Sequence, residues 1–160
     1  MSEKNRLLKV LRLIKRLLTK AKPAEQDIIL KLFEGLTEKD PSERIMVDVG
    51  AHFGSSFLKF AKSGWTVHCF EPDDDNREIL TRNIKKHKFK NVFIDKRAVS
   101  NLETKGTYYE SEISSGISSL IRFHPSHKEA KEVDITTLSS FCTKNGISTI
   151  DFLKITISAI

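Results

Sequence analysis

Apolar positions in this chain switch between the spacing of helices and the short unbroken runs of buried strands. Near the start, Leu7, Val10, Leu11, Ile14, Leu17 and Leu18 recur at helical spacing, with Leu8 and Leu13 widening the stripe and Lys9, Arg12, Arg16 and Lys20 opposite. That pattern predicts a cationic amphipathic helix over residues 5–20. Pro23 ends it, and a second helix is predicted over 24–36 with Ile28, Ile29, Leu32, Phe33 and Leu36 on its core side. Residues 37–43, containing Asp40-Pro41, connect to a short apolar run at 45–47 of the kind buried on both faces of a parallel sheet. A helix over 55–63, a second strand over 67–70 and a helix from Pro72 to about Lys88 follow. The triplet Asp73-Asp74-Asp75 starts that last helix, where a carboxylate caps free amides, and Ile79, Leu80 and Ile84 form its buried side.

Residues 91–94 read as a third strand. Simple alternation then stops, because 106–109 and 132–135 look like added antiparallel strands around a polar loop containing Ser111, Ser114, Ser115, Gly116, Ser118 and Ser119. Residues 137–145 predict a helix ended by Gly146, and 150–155 a fourth parallel strand. The elements sum to an α/β, Rossmann-like half-domain with a mostly parallel sheet, helices on both faces and strand order 3-2-1-4. Residues 1–41 form a helical extension before it, and 42–160 the Rossmann-like domain.

The chemistry gathers at IMVDVGAHFG, residues 45–54, and at Glu71 beyond the second apolar run. Gly50 and Gly54 free the backbone for a tight turn between strand and helix, where main chain can approach a ligand. Glu71, at the carboxyl end of the next strand, is placed to accept hydrogen bonds from both hydroxyls of a ribose. A dinucleotide site wants G-x-G-x-x-G, whereas this loop reads D-x-G-x-x-x-G and sets His52 where the second glycine would lie against a pyrophosphate. A nicotinamide-binding oxidoreductase is therefore disfavoured. An aspartate on the strand tip, two glycines four apart and an acid on the next strand resemble the S-adenosylmethionine site of class I methyltransferases.

Longer stretches carry a narrower resemblance. FEPDDDNREILTRNIKKHKFKNVFIDKRAVSNLETKGTYY from Phe70, SGISSL at 115–120, EVDITTLSSF from Glu132 and IDFLKI from Ile150 are similar, in order and spacing, to FkbM-type methyltransferases. The resemblance covers residues 45–155. It implies an S-adenosylmethionine cofactor and methyl transfer to a hydroxyl on a sugar or polyketide-like acceptor, a small molecule or glycan. It further implies that Asp48, Gly50, Ala51, His52, Gly54, Glu71, Pro72 and Ala98 bind the donor, with Ala98 packing on the adenine. For Asp48 two roles stay open: orienting the donor's amino group, or capping the loop's own amides. The amides at the start of the next helix suit the donor's carboxylate. His52 is the candidate catalytic base.

FkbM-type sequences continue past DFLKI with an acidic strand tip, where this chain has Thr156. On that reading the domain is incomplete at its C-terminus, and its last strand is an open edge that invites self-association. Donor binding then outlasts catalysis, which leaves a donor-binding fragment without turnover as an alternative.

Composition trims the remaining classes. With 160 residues, 39% hydrophobic and 30% charged, the chain suits a globular domain with its own core. The net charge of +6 sits at one end: residues 1–22 carry eight Lys or Arg against Glu3 alone, and the remainder 19 basic against 20 acidic. The body thus has no basic excess for nucleic acid. Charges interrupting residues 5–20 exclude a membrane span and a signal peptide, leaving either peripheral contact with an anionic membrane or packing on the domain. Cys69 and Cys142 lack zinc or disulfide spacing and fit reduced thiols in the cytoplasm. The His124-x-x-His127 pair is separated by Pro125, and capping accounts for the triple aspartate, so no metal site is expected.

Overall fold

The computed structural model describes residues 24–111, 113 and 118–156. The amphipathic segment 5–20 and Ser114, Ser115 and Gly116 of the serine-rich loop lie outside the described residues. Helix α1 (Glu25–Leu36) and a 3-10 turn (Pro41–Glu43) lead into β1 (Ile45–Val49). Then come α2 (Leu58–Lys62), β2 (Thr66–Phe70), α3 (Asp74–His87) and β3 (Val92–Asp95). The chain continues through β4 (Ala98–Val99), β5 (Thr104–Ser111), β6 (His127–Thr136), α4 (Leu138–Lys144) and β7 (Phe152–Ile155).

The main sheet runs β3-β2-β1-β7, all parallel, which is the order expected of four strands read as 3-2-1-4. β1 is central, and Met46, Val47 and Asp48 are buried on both of its faces. On one face Met46, Val67 and Cys69 pack with Phe60, Trp65 and Leu80, against which Ile29, Leu30 and Phe33 of α1 close. On the other, Val47 and Phe70 meet Phe141 of α4. Helices on both faces of a parallel sheet make this a Rossmann-like fold. The buried side of α1 is rotated slightly from its sequence reading, for Leu30 joins the core whereas Leu36 is 55% exposed.

Local chemistry explains most boundaries. Asp73 caps α3, its side chain accepting from the Asn76 amide, and Lys88 closes the helix at φ +57. Thr137 caps α4 through the Ser140 amide. One helix departs from expectation: α2 starts at Leu58, not at residue 55, because Ser55 and Ser56 are spent in the turn and the Ser56 hydroxyl turns back to Asp48. A five-residue helix of this kind has only a weak dipole.

A second, three-stranded sheet has the order β4-β6-β5. β5 and β6 are antiparallel, as expected of the added strands, while β4 joins β6 in parallel through Ala98 and Ile135. This sheet leans on the start of α3, where Lys131 forms an ion pair with Asp74. His127 begins β6 and is buried against the ring of Phe123, 4.6 Å between centroids. Among the described residues, no group of three or more His, Cys, Asp or Glu is arranged to hold a metal ion, and no helix is long and apolar enough to cross a membrane.

Gly54 ties the turn after β1 to α3. Its φ is +86, and an added Cβ would lie 2.7 Å from both Leu80 Cδ1 and Phe57 Cζ. Gly54→Ala is therefore expected to destabilise the domain by about 1–3 kcal/mol through overpacking, with left-handed strain added. Urea unfolding with an unchanged m-value is the check.

Candidate functional site

The carboxyl ends of β1, β2 and β7 open into one cavity of about 690 Å³. Its floor is the turn Gly50-Ala51-His52. Glu71 and Pro72 stand on one side, Lys154 and Thr156 on another, and Ala98, Val99 and Tyr108 reach in from the second sheet. Openings at the carboxyl ends of parallel strands are where open α/β sheets bind ligands.

The turn is shaped by main-chain bonds. The amides of Gly50 and Ala51 both donate to Phe70 O, at 2.9 and 3.1 Å, which pins the turn to the end of β2. Gly50 has φ +73, and a Cβ there would come within 3.1 Å of Thr156 O. His52 also adopts a left-handed φ, +51, with its ring against Phe53 at 3.6 Å between centroids. A non-glycine residue in that region is strained unless its surroundings hold it.

Part of that hold comes from Glu71. Its Oε2 accepts from the His52 amide at 2.7 Å, and its Oε1 accepts from the Asp73 amide at 3.1 Å and, more weakly, from Asn76 Nδ2 at 3.5 Å. The carboxylate is 4% exposed, and burial pushes its pKa up against the lowering effect of those hydrogen bonds. A carboxylate offers about four lone-pair sites, so capacity remains on the side that faces the cavity.

The structure places Asp48 behind the cavity wall. It does not line the cavity and is wholly buried, with Oδ2 accepting from Ser56 Oγ. Its Oδ1 lies 2.8 Å from Lys154 Nζ, outside good hydrogen-bond alignment, so the contact is an ion pair. The ammonium it faces thus belongs to its own chain. Gly54 likewise lies behind the cavity and packs against α3, while Gly50, Ala51, His52, Glu71, Pro72 and Ala98 all line it.

The sequence reading missed Tyr108 and Lys154. Tyr108 is 5% exposed, and burial first, then the charges of Glu71 and Asp73, raises the pKa of its phenol. Lys131 lies 5.9 Å from the centre of its ring. A signal for Lys154 was present: it is the lone charge in the apolar run Phe152–Ile155, as Asp48 is in Ile45–Val49, and a charge buried in one strand wants an opposite charge from the strand beside it.

The methyltransferase FkbM domain matches residues 48–157, from the aspartate of this turn to just past Thr156. The chain belongs to the FkbM methyltransferase family. Among solved structures, this FkbM chain is similar to coclaurine N-methyltransferase bound to N-methylheliamine and SAH, with 18% identity and a TM-score of 0.40. That match covers 56% of the chain and 26% of the other, so the chain spans about a quarter of that enzyme's length. No curated protein matches it.

Proposed function

We propose that this FkbM domain binds S-adenosylmethionine in the cavity and directs its methyl group to a hydroxyl of a sugar or polyketide-like acceptor. One observation carries the reading: a buried carboxylate with unused acceptor capacity faces the same cavity as a turn held open by Gly50. The residues present fit the donor. Glu71 accepts from the ribose hydroxyls, Ala98 gives the adenine a flat apolar surface, and the absent side chain of Gly50 leaves the main chain bare to the ligand.

The bound cofactor supplies an electrophilic methyl, and the chain's share is chiefly alignment, which contributes about 7–11 kcal/mol in well-oriented reactions. A hydroxyl also has to lose its proton. His52, which lines the cavity, takes the role of base in this reading. A second reading, donor binding without turnover, draws on Thr156, which stands at the tip of β7 where the resemblance places an acid.

Titration calorimetry with S-adenosylmethionine and with NAD tests the first step. The expected result is binding of the former and none of the latter at equal concentration; preference for NAD would overturn the reading. Where the donor binds, transfer of labelled methyl to a hydroxylated acceptor, reduced in His52→Ala with donor affinity kept, supports the enzyme over the fragment.

A further inference from the structure

We propose that Lys154 is a positioning residue that sets the shape of the donor turn, a role that rests on the functional reading above and adds a residue to it. The turn carries two left-handed residues, Gly50 and His52, on either side of Ala51. Gly50 adopts it freely, but at His52, which is not glycine, it persists only where neighbouring groups hold it. It is held from both flanking strands. From the end of β2, Glu71 accepts the His52 amide at 2.7 Å; from β7, Lys154 Nζ donates to Gly50 O at 3.0 Å. A carboxylate and an ammonium thus grip opposite ends of one three-residue turn.

The ammonium is itself aimed by the sheet. Asp48 and Lys154 are register partners on β1 and β7, and the Asp48 carboxylate, 0% exposed, holds the ammonium by the ion pair while Ser56 Oγ fixes the carboxylate. Lys154 is 27% exposed because it reaches from this pair into the cavity wall. Neutralising Asp48 would need only a nearby positive charge. The bond to the Gly50 carbonyl does something further: with the bond from the Ala51 amide to Phe70 O on the other edge, it holds the peptide plane between Gly50 and Ala51 and so the direction of the amides that follow. β7, whose Lys154 lies 104 positions from Gly50 in sequence, thereby becomes part of the donor site.

Two variants of the full chain separate positioning from simple charge balance. Lys154→Met keeps the stem and removes both contacts; the double variant Asp48→Asn/Lys154→Met also removes the carboxylate that would be left unpaired. Lys154→Met is expected to lower the thermal midpoint, speed amide hydrogen exchange at His52 and weaken S-adenosylmethionine binding, the last two by about tenfold or more, the value of one charge-assisted hydrogen bond. The double variant should regain the midpoint while exchange at His52 and donor affinity stay impaired. Recovery of all three together would overturn the proposal, as would unchanged exchange at His52 in both variants. Should Lys154→Met fail to fold, the double variant alone decides. Exchange is read without ligand, so a wild-type protein that binds no donor would count against the functional reading and leave this test intact.

Discussion

Trp65→Ala is expected to cost about 3–5 kcal/mol of unfolding free energy, the range for removing a fully buried tryptophan. Trp65 has no exposed surface and joins three elements. Its ring meets Phe33 of α1 edge-on at 4.9 Å and Phe60 of α2 edge-on at 5.2 Å, with the Arg44 guanidinium 5.5 Å from its centre. Its carbonyl accepts from Asn91 Nδ2 at 2.7 Å, and the same amide donates to Ala61 O at 2.9 Å, so the loops before β2 and β3 are fastened at this residue too. Each aromatic contact is worth roughly 0.5–1.5 kcal/mol beyond the area it buries. How far α1 can settle into the cavity left by alanine sets where in that range the loss falls.

A second variant checks this account from the opposite direction. The indole Nε1 is buried with no hydrogen-bond partner among the described residues, a liability of about 1–3 kcal/mol. Trp65→Phe removes that liability along with some packing, so it should cost well under half as much as alanine. Chemical denaturation measures both, and hydrogen exchange should show α1 loosening first in Trp65→Ala, since Phe33 then has no edge to pack against. Equal losses in the two variants would mean that the indole nitrogen is paired after all.

How far the sequence disclosed this arrangement depended on the range of each interaction. β1 was legible because residues 45–47 have no polar face, and only a central parallel strand tolerates that. The start of α3 was legible because its cap, Asp73, lies three residues from the amide it accepts. The start of α2 was not, since Ser56 is drawn out of the helix by a carboxylate eight positions earlier, a competition that helical periodicity does not register. Asp48 and Lys154 lie 106 positions apart, and only the register of β1 against β7 makes them neighbours. Tyr108 was hidden similarly. Its strand pairs with β6 and bridges Ser119, and which of its faces turns to the cavity follows from the way the second sheet leans on α3. The loop glycines show the same divide: the motif found both, but only packing reveals that Gly50 opens the cavity whereas Gly54 lets two core side chains approach.

Glu71→Gln should weaken S-adenosylmethionine binding by about 100-fold or more, because two hydrogen bonds to a charged acceptor are each worth about 1.5–3 kcal/mol. Glutamine keeps the shape yet offers one acceptor oxygen where the carboxylate has two, and its amide nitrogen must face either the His52 or the Asp73 amide that the carboxylate accepts. The pH dependence supplies a sharper test. Burial raises the pKa of Glu71, so the folded protein holds that proton more tightly than the unfolded chain does. The stability this contributes is full below the ordinary glutamate range, declines as pH rises through the raised value, and is flat above it. Donor affinity should run the other way, since only the ionised carboxylate can accept from both ribose hydroxyls while keeping its backbone partners. Calorimetry across the mildly acidic range should therefore show affinity still climbing with pH above the ordinary glutamate pKa, as the thermal midpoint loses the contribution of Glu71. In Glu71→Gln both slopes should vanish together. A variant that retained wild-type affinity, or a wild-type affinity with no pH dependence there, would separate this carboxylate from the ribose and leave it only the work of holding His52.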